Sequence, residues 1–256
     1  MSELILETRG LSKDFKGFTA VDGVDLQVRR GHIHALIGPN GAGKTTCFNL
    51  LTKFLEPTRG SIHFEGHDIT KERPAQIARR GVIRSFQISA VFPNLTVLEN
   101  VRIGLQRFTG TSFHFWRGLG GLSRLDARVM ELLEFVDLHG MAHLKAGELP
   151  YGRKRALEIA STMAMEPKLM LLDEPTQGMG HEDVERVTAL IKRVAEGRTV
   201  LMVEHNMKVV SRIADRITVL ARGAVLAEGD YDTVSRHPDV LQAYMGSESA
   251  ALEGAH

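Results

Sequence analysis

Gly38, Pro39, Asn40, Gly41, Ala42, Gly43, Lys44, Thr45 and Thr46 have the types and spacing to hold a chain of phosphates. They fit G-x-x-x-x-G-K-[ST] and follow the mostly apolar run Ile33 to Ile37 without a gap. Gly38, Gly41 and Gly43 allow backbone angles that side chains forbid, so consecutive N–H groups can turn onto phosphate oxygens. They do so at a helix N-terminus, where the dipole favours anions. Lys44 would reach the β and γ phosphates of a nucleotide, and Thr45 would offer its hydroxyl to Mg²⁺. The helix is predicted to run through Thr46 to about Leu55 and to stop near Pro57. An ordinary glycine turn would not need strand, loop and helix in this order.

A second pair of groups complements the first. Leu169 to Leu172 are apolar and are followed at once by Asp173 and Glu174. Such a run makes a central strand whose carboxylates emerge at the carboxyl end, where open α/β sheets bind ligands. Alone, this is a weak signal, because charged residues often end strands. Beside a phosphate cradle it becomes specific: Mg²⁺ bridging two phosphate oxygens needs one carboxylate, for which Asp173 is suited. In-line attack by water needs a polarising group, for which Glu174 is suited.

The elements that must position these groups are legible in outline. Residues 3 to 30 alternate in short runs split by Gly17 and Gly23, as in an antiparallel sheet. Phe15 and Phe18 lie in the turn between two runs, where an aromatic can stack on a flat base or simply pack in the core. Gly60 to Thr70 suits another hairpin, and a polar stretch and short helix then lead to the run ending at Gln87. Residues 88 to 166 show helical spacing at Leu125 to Val136 and Leu157 to Met163, a candidate helical subdomain. Its loop with Phe113, Phe115 and Trp116 is expected to pack locally. Strand and helix alternate again from Lys168 onward, with helices expected at His181 to Glu196 and Met207 to Ala214, and a last hairpin at Ala224 to Asp230. Residues 246–256 lack an apolar period and are expected to fray.

Composition sets limits. With 256 residues the chain can bury a sizeable core. Its 32 Lys and Arg against 31 Asp and Glu, formal charge +1, supply no bulk attraction for nucleic acid or an anionic surface. The one cysteine, Cys47, forms no internal disulfide and suits a small buried position. Apart from His205, the ten histidines show no paired metal spacing, so no zinc site is expected. No stretch approaches the roughly 18 apolar residues of a spanning helix, so the chain is expected to be soluble or to reach a membrane through a partner.

Phe15, the cradle at 38–46, Gln87, the segment Leu149 to Ala160, Leu169 to Pro175 and the Val203, Glu204, His205 ending occur in a telling order. That order resembles the ATP-binding subunits of ABC transporters over nearly the whole chain. Within that family it is most similar to the subunit of bacterial branched-chain amino-acid uptake systems. The supporting features are a tyrosine before the signature glycine, Phe92 to Val101 after the glutamine, a long loop before the signature, and an ending Val240 to Gly246.

The resemblance implies an α/β fold: a P-loop NTPase core with a mostly parallel sheet, an antiparallel β-subdomain and an inserted helical subdomain. Residues 1–245 would form one nucleotide-binding domain. It implies ATP and Mg²⁺ as cofactors and ATP hydrolysis coupled to transport. Phe15 would stack on adenine, Gln87 would sense Mg²⁺ and the attacking water, and His205 would contact the γ-phosphate. Tyr151, Gly152 and Arg153 would act in trans on the nucleotide of a second ATP-binding subunit, as a heterodimer. Two membrane permeases and an external substrate-binding protein would complete the complex at the cytoplasmic face of a bacterial inner membrane. A permease helix would dock just after Gln87, on Val91, Phe92, Leu95, Val97 and Leu98.

Two departures from the broad family pattern stand out. Pro150, Tyr151, Gly152 and Arg153 occupy the place of serine, glycine, glycine and glutamine, so the serine hydroxyl is missing. Losing one hydrogen bond to a charged group costs roughly 1.5 to 3 kcal/mol. Gly180 stands where many relatives have aspartate. The rival readings are an ABC ATPase of another transport system, for urea or amide uptake or lipid export, whose sequences look alike; a soluble ABC protein acting on ribosomes or DNA; and a regulatory module without turnover. The soluble protein usually shows two cassettes or a coiled-coil insertion; the regulatory module does not need Glu174.

Overall fold

The computed structural model describes residues 3–85, 91–106 and 125–244. Two sheets form its framework. The first is antiparallel and runs β2 (Phe18–Val24), β1 (Leu4–Phe15), β5 (Arg59–Phe64) and β6 (His67–Asp68), with β3 (Gln27–Arg29) also pairing β1. The second runs β11 (Ala224–Gly229), β10 (Arg216–Ala221), β4 (Ile33–Ile37), β9 (Thr199–Val203), β8 (Leu169–Asp173) and β7 (Val82–Ser85). All its pairings are parallel except the β10–β11 hairpin. Mostly parallel sheets are covered on both faces, which is why β4, β8 and β9 are buried at every residue.

β4 shows how one strand serves two cores. Ile33, Ala35 and Ile37 face the cluster that holds the helical residues Leu157, Ile191 and Val210, whereas Leu36 faces the cluster of the antiparallel sheet with Phe48 and Leu51. His34 is also fully buried, its Nε2 within 2.8 Å of Thr218 Oγ1. Burial first, then Arg216 and His32, push its pKa down to about 3, so it stays neutral inside the sheet.

The α-helices bounded within the described residues are α1 to α8. The cradle helix α1 is Lys44–Leu51, four residues shorter than expected. Its end is set locally: Thr52 Oγ1 donates to Phe48 O at 2.8 Å, and Lys53 adopts a left-handed φ of 60°. α2 (Pro74–Arg80) opens on proline and closes on left-handed Gly81. α3 (Val97–Gln106), α4 (Asp126–Phe135) and α5 (Tyr151–Met163) form the helical region, with α5 starting six residues before the apolar spacing suggests. α6 (His181–Ala195) buries Val187, Leu190, Ile191 and Val194, an i, i+3, i+4, i+7 stripe. Each such side chain stabilises the packed state by about 1.5 to 3 kcal/mol. α7 is Met207–Ile213, and α8, Tyr231–Ser235, is a turn of helix that the spacing did not reveal. Residues 238–244 are also helical.

Gln87, the aromatic loop with Phe113, Phe115 and Trp116, and the tail 246–256 lie outside the described residues. Among the described residues no helix is long and apolar enough to cross a membrane.

Candidate functional site at the carboxyl ends of three strands

Three neighbouring strands bring the chemistry together. The cradle follows β4, Asp173 ends β8 and Glu174 follows it, and Glu204 and His205 follow β9, which lies between β4 and β8. Two backbone bonds keep the three strand ends level: Glu174 N donates to Val203 O at 2.9 Å, and Glu204 N to Leu36 O at 3.4 Å. Groups more than 100 residues apart in sequence therefore meet because parallel strands end on one edge.

The cradle has the backbone that phosphate binding needs. Gly38, Gly41 and Gly43 have φ of 149°, 77° and 98°. A Cβ on Gly38 would sit 2.1 Å from Leu220 O, so a side chain there would break the contact between loop and β10. Gly43 is the N-cap of α1 and has no side chain to satisfy the first-turn N–H groups, which stay available to an anion. Lys44 is 8% exposed, and its Nζ donates to Gly38 O at 2.6 Å and to Pro39 O at 3.0 Å. Burial lowers its pKa, with the Glu174 and Asp173 carboxylates pulling the other way. Thr45 and Asn40 are exposed. The donor set, a hydroxyl at Thr45 and a carboxylate at Asp173, is all oxygen and suits Mg²⁺.

Asp173 is 6% exposed, and one of its oxygens is paired with the Arg84 guanidinium. Glu174 adopts a left-handed φ of 43°, a conformation that costs energy for a side-chain-bearing residue and turns it out of the strand direction. His205 is exposed. Cys47 is fully buried, which pushes its thiol up to about 12 and leaves it inert. Phe15 is 42% exposed at the end of β1, with Lys13 Nζ 5.2 Å from its ring centroid. Phe15 belongs to neither core cluster.

The segment Pro150 to Arg153 lies elsewhere. Pro150 is the N-cap of α5, Tyr151 donates its hydroxyl to Gln177 O at 2.9 Å, and Arg153 donates to Asp137 O at 2.7 Å. Gly152 is buried, and a Cβ on it would lie 2.4 Å from Asp183 Cγ of α6. A pocket of about 300 Å³ beside Gly152 and Arg153 is lined by Asp183 and Arg186. A cleft of about 620 Å³ beside Pro39 to Ala42 is closed by Arg222, Asp239 and Gln242 instead, and the two cavities share no residue.

Comparison with known proteins places this arrangement. A family model described as ABC transporter matches residues 21–177. The chain belongs to the ABC transporter family. A second model, described as branched-chain amino acid ATP-binding cassette transporter, matches residues 224–250. The chain is 41% identical to the high-affinity branched-chain amino acid transport ATP-binding protein BraF of Pseudomonas aeruginosa, over 96% of this chain and 99% of that one. It is 36% identical to LivG of Escherichia coli, named for the same transport, over 96% and 99%. Among solved structures it resembles an ABC-transporter cassette in its ADP conformation: TM-score 0.84, 31% identity, 96% of this chain and all of that one. A nucleotide-free cassette from an ABC transporter gives a TM-score of 0.82 at 30% identity over 94% and 98%.

In this cassette the buried Glu204, Arg155 and Glu158 and the largely covered Arg84 escaped the sequence reading. Glu204, fully buried, accepts from Thr176 N and Oγ1 at 3.1 and 2.5 Å and from His205 N and Asn206 N, both at 3.0 Å. It thereby ties the loop after Glu174 to the loop carrying His205. Arg155 donates to Asp173 O at 2.9 Å, Pro175 O at 3.2 Å and Glu158 at 2.6 Å, fastening α5 to the same turn. Position beside His205 was the one available hint for Glu204; Arg155 had a local signal only in Glu158 three residues on, and the bonds of Arg155 and Arg84 to Asp173, 18 and 89 residues away, left none.

One expectation needs correction. Of Val91, Phe92, Leu95, Val97 and Leu98, the structure buries Val97 and Leu98 in the core at 0% and 8% exposure and half-buries Val91 and Leu95. Val97 and Leu98 seat α3 on its neighbours and are not available to a partner, whereas Val91 and Leu95 precede the helix. Phe92 alone stays exposed, at 52%, beside a pocket of about 200 Å³ lined by Arg84, Asn100, Ile103 and Glu158.

Proposed function

We propose that this cassette is the ATP-hydrolysing subunit of an importer for branched-chain or related amino acids. It would work at the cytoplasmic face of a bacterial inner membrane with a second, different ATP-binding subunit, two permeases and an external binding protein. Likeness to BraF and LivG over almost the full length of both chains supports the transport assignment. For the chemistry, the observation that carries most weight is the convergence of Lys44, Asp173, Glu174 and His205 on adjacent strand ends.

In this reading the N–H groups of Gly41 to Thr46 and the Lys44 ammonium hold the β and γ phosphates, after Lys44 exchanges its loop carbonyls for phosphate oxygens. Phe15 offers its exposed ring to adenine. Thr45, Asp173 and Gln87 would hold Mg²⁺, which when bound supplies charge neutralisation between the phosphates. Glu174 takes the proton of the attacking water, and His205 steadies the γ-phosphate. Tyr151, Gly152 and Arg153 serve the partner subunit's nucleotide, where the N-terminus of α5 offers dipole and N–H groups in place of the absent serine hydroxyl. A permease helix meets Phe92 and its pocket.

Glu174→Gln tests the chemical role. The amide keeps the shape and removes the base, so ATP should still bind while turnover of the assembled complex falls by about 10²- to 10⁴-fold. Normal steady-state turnover in that variant would assign the base to another residue. Co-purification with membrane permeases, followed by a transport assay on the complex, tests the assignment to import.

A further inference from the structure

Arg84 lies on β7, the edge strand of the six-stranded sheet, and is covered at a cost that packing does not explain. Its side chain is 11% exposed, and its Nε is buried without an acceptor among the described residues. What the guanidinium does bind is specific: Nη1 donates to Asn49 Oδ1 at 2.7 Å, and Nη2 to Asp173 Oδ2. Its carbon lies 5.8 Å from the Phe48 ring centroid, so contacts on three sides fix the fork.

Each partner has a geometric relation to the nucleotide site. Arg84 is registered against Leu171 in the parallel β7–β8 pair, and Asp173 is two residues beyond Leu171, hence on the same face of the sheet. Asn49 and Thr45 are four residues apart on α1, hence on one helix face, one turn from each other. A guanidinium that joins Asn49 to Asp173 thus links the cradle helix to β8, one turn below the place where Thr45 and Asp173 would share a metal ion. It uses one carboxylate oxygen and leaves the other.

We propose that Arg84 is a positioning residue for Mg²⁺: by gripping Asp173 Oδ2 and Asn49 together it aims the free Asp173 oxygen and holds β8 at a fixed distance from Thr45. This rests on the assignment of Thr45 and Asp173 to the metal. Carboxylates that ligate metals are commonly held by such hydrogen bonds, and losing one costs about 10- to 100-fold in metal affinity.

The test uses the full chain, with ADP binding followed at increasing Mg²⁺ and, separately, in EDTA. Arg84→Gln should raise the Mg²⁺ concentration for half-saturation by about 10- to 100-fold while ADP affinity in EDTA holds. Arg84→Lys, which keeps charge but cannot bridge two partners, should lie between. Asn49→Ala, which removes one anchor and no charge, should shift Mg²⁺ in the same direction by less, and its effect should not add to that of Arg84→Gln. A purely structural arginine would lower thermal stability without moving the Mg²⁺ midpoint. A lower midpoint in Arg84→Gln would make the guanidinium a competitor for Asp173. Either result overturns the proposal, provided Asp173→Asn itself weakens Mg²⁺. If Asp173→Asn leaves the midpoint unchanged, the metal assignment falls instead.

Discussion

The cradle and the signature segment, which in the proposed function would each meet a phosphate at a helix N-terminus, are built in opposite ways. The cradle is complete within the chain: its glycines hold left-handed angles, and its lysine is buried against its own carbonyls. The signature turns its hydrogen-bonding groups to its own chain, Tyr151 to Gln177 and Arg153 to Asp137, and packs its glycine under Asp183. The cradle thus presents an uncapped helix end beside its own lysine, whereas in the proposed function the N-terminus of α5 would meet a nucleotide held by a second subunit. The difference is what an assembly with shared sites would require of a single subunit.

Breaking the cradle should have the largest effect. Lys44→Ala removes the one motif cation aimed at the phosphates, a charge-assisted contact worth up to about 3 kcal/mol, so nucleotide affinity should drop by about a hundredfold and turnover with it. Titration of the isolated variant with Mg-ATP checks this, and unchanged affinity would end the cradle assignment.

A smaller effect distinguishes the two regions by pH. His34, on the strand that carries the cradle, has its pKa lowered to about 3 by burial. The unfolded chain, with histidine near 6.5, therefore binds more protons between those values, and stability is lost as pH falls through that window. The slope approaches about 1.4 kcal/mol per pH unit. Glu158, on the signature helix, has its pKa raised by burial, opposed by Arg155. The folded state then binds the extra proton, so this contribution declines as pH rises above the unfolded value of 4.5. Urea unfolding at a series of pH values should show His34→Gln with a flatter acid limb and Glu158→Gln without that flattening.

How much of this was legible follows the same division. The cradle and the Asp173, Glu174 pair are contiguous, and their chemistry depends on residue type at fixed spacing, so nine residues and a neighbouring strand sufficed. The two-sheet architecture followed from alternating runs. The end of α1 was missed because Thr52 and Lys53 stop it by local hydrogen bonding and a left-handed turn, which no apolar period records. α8 is five residues long, too short to show a period. Val97 and Leu98 looked like a docking face because amphipathic spacing tells that a face is apolar, not which neighbour covers it. The bonds of Arg84 and Arg155 to Asp173 and of Glu204 to Thr176 depend on partners brought together by the fold alone.

The sharpest test asks which nucleotide Gly152 serves. ATP affinity of the isolated Gly152→Asp subunit is measured beside ATP turnover of the assembled complex containing it. Because the new Cβ would meet Asp183, the same pair of measurements is made on Gly152→Asp combined with Asp183→Ala, which clears that contact. The account predicts full affinity in isolation and impaired turnover in the complex for both, since like charges a few ångströms apart in a closed interface repel by several kcal/mol at an effective dielectric near ~20. Lost affinity in the isolated double variant would place Gly152 in the chain's own binding site and contradict the division between a cradle that works in its own chain and a signature that works on another.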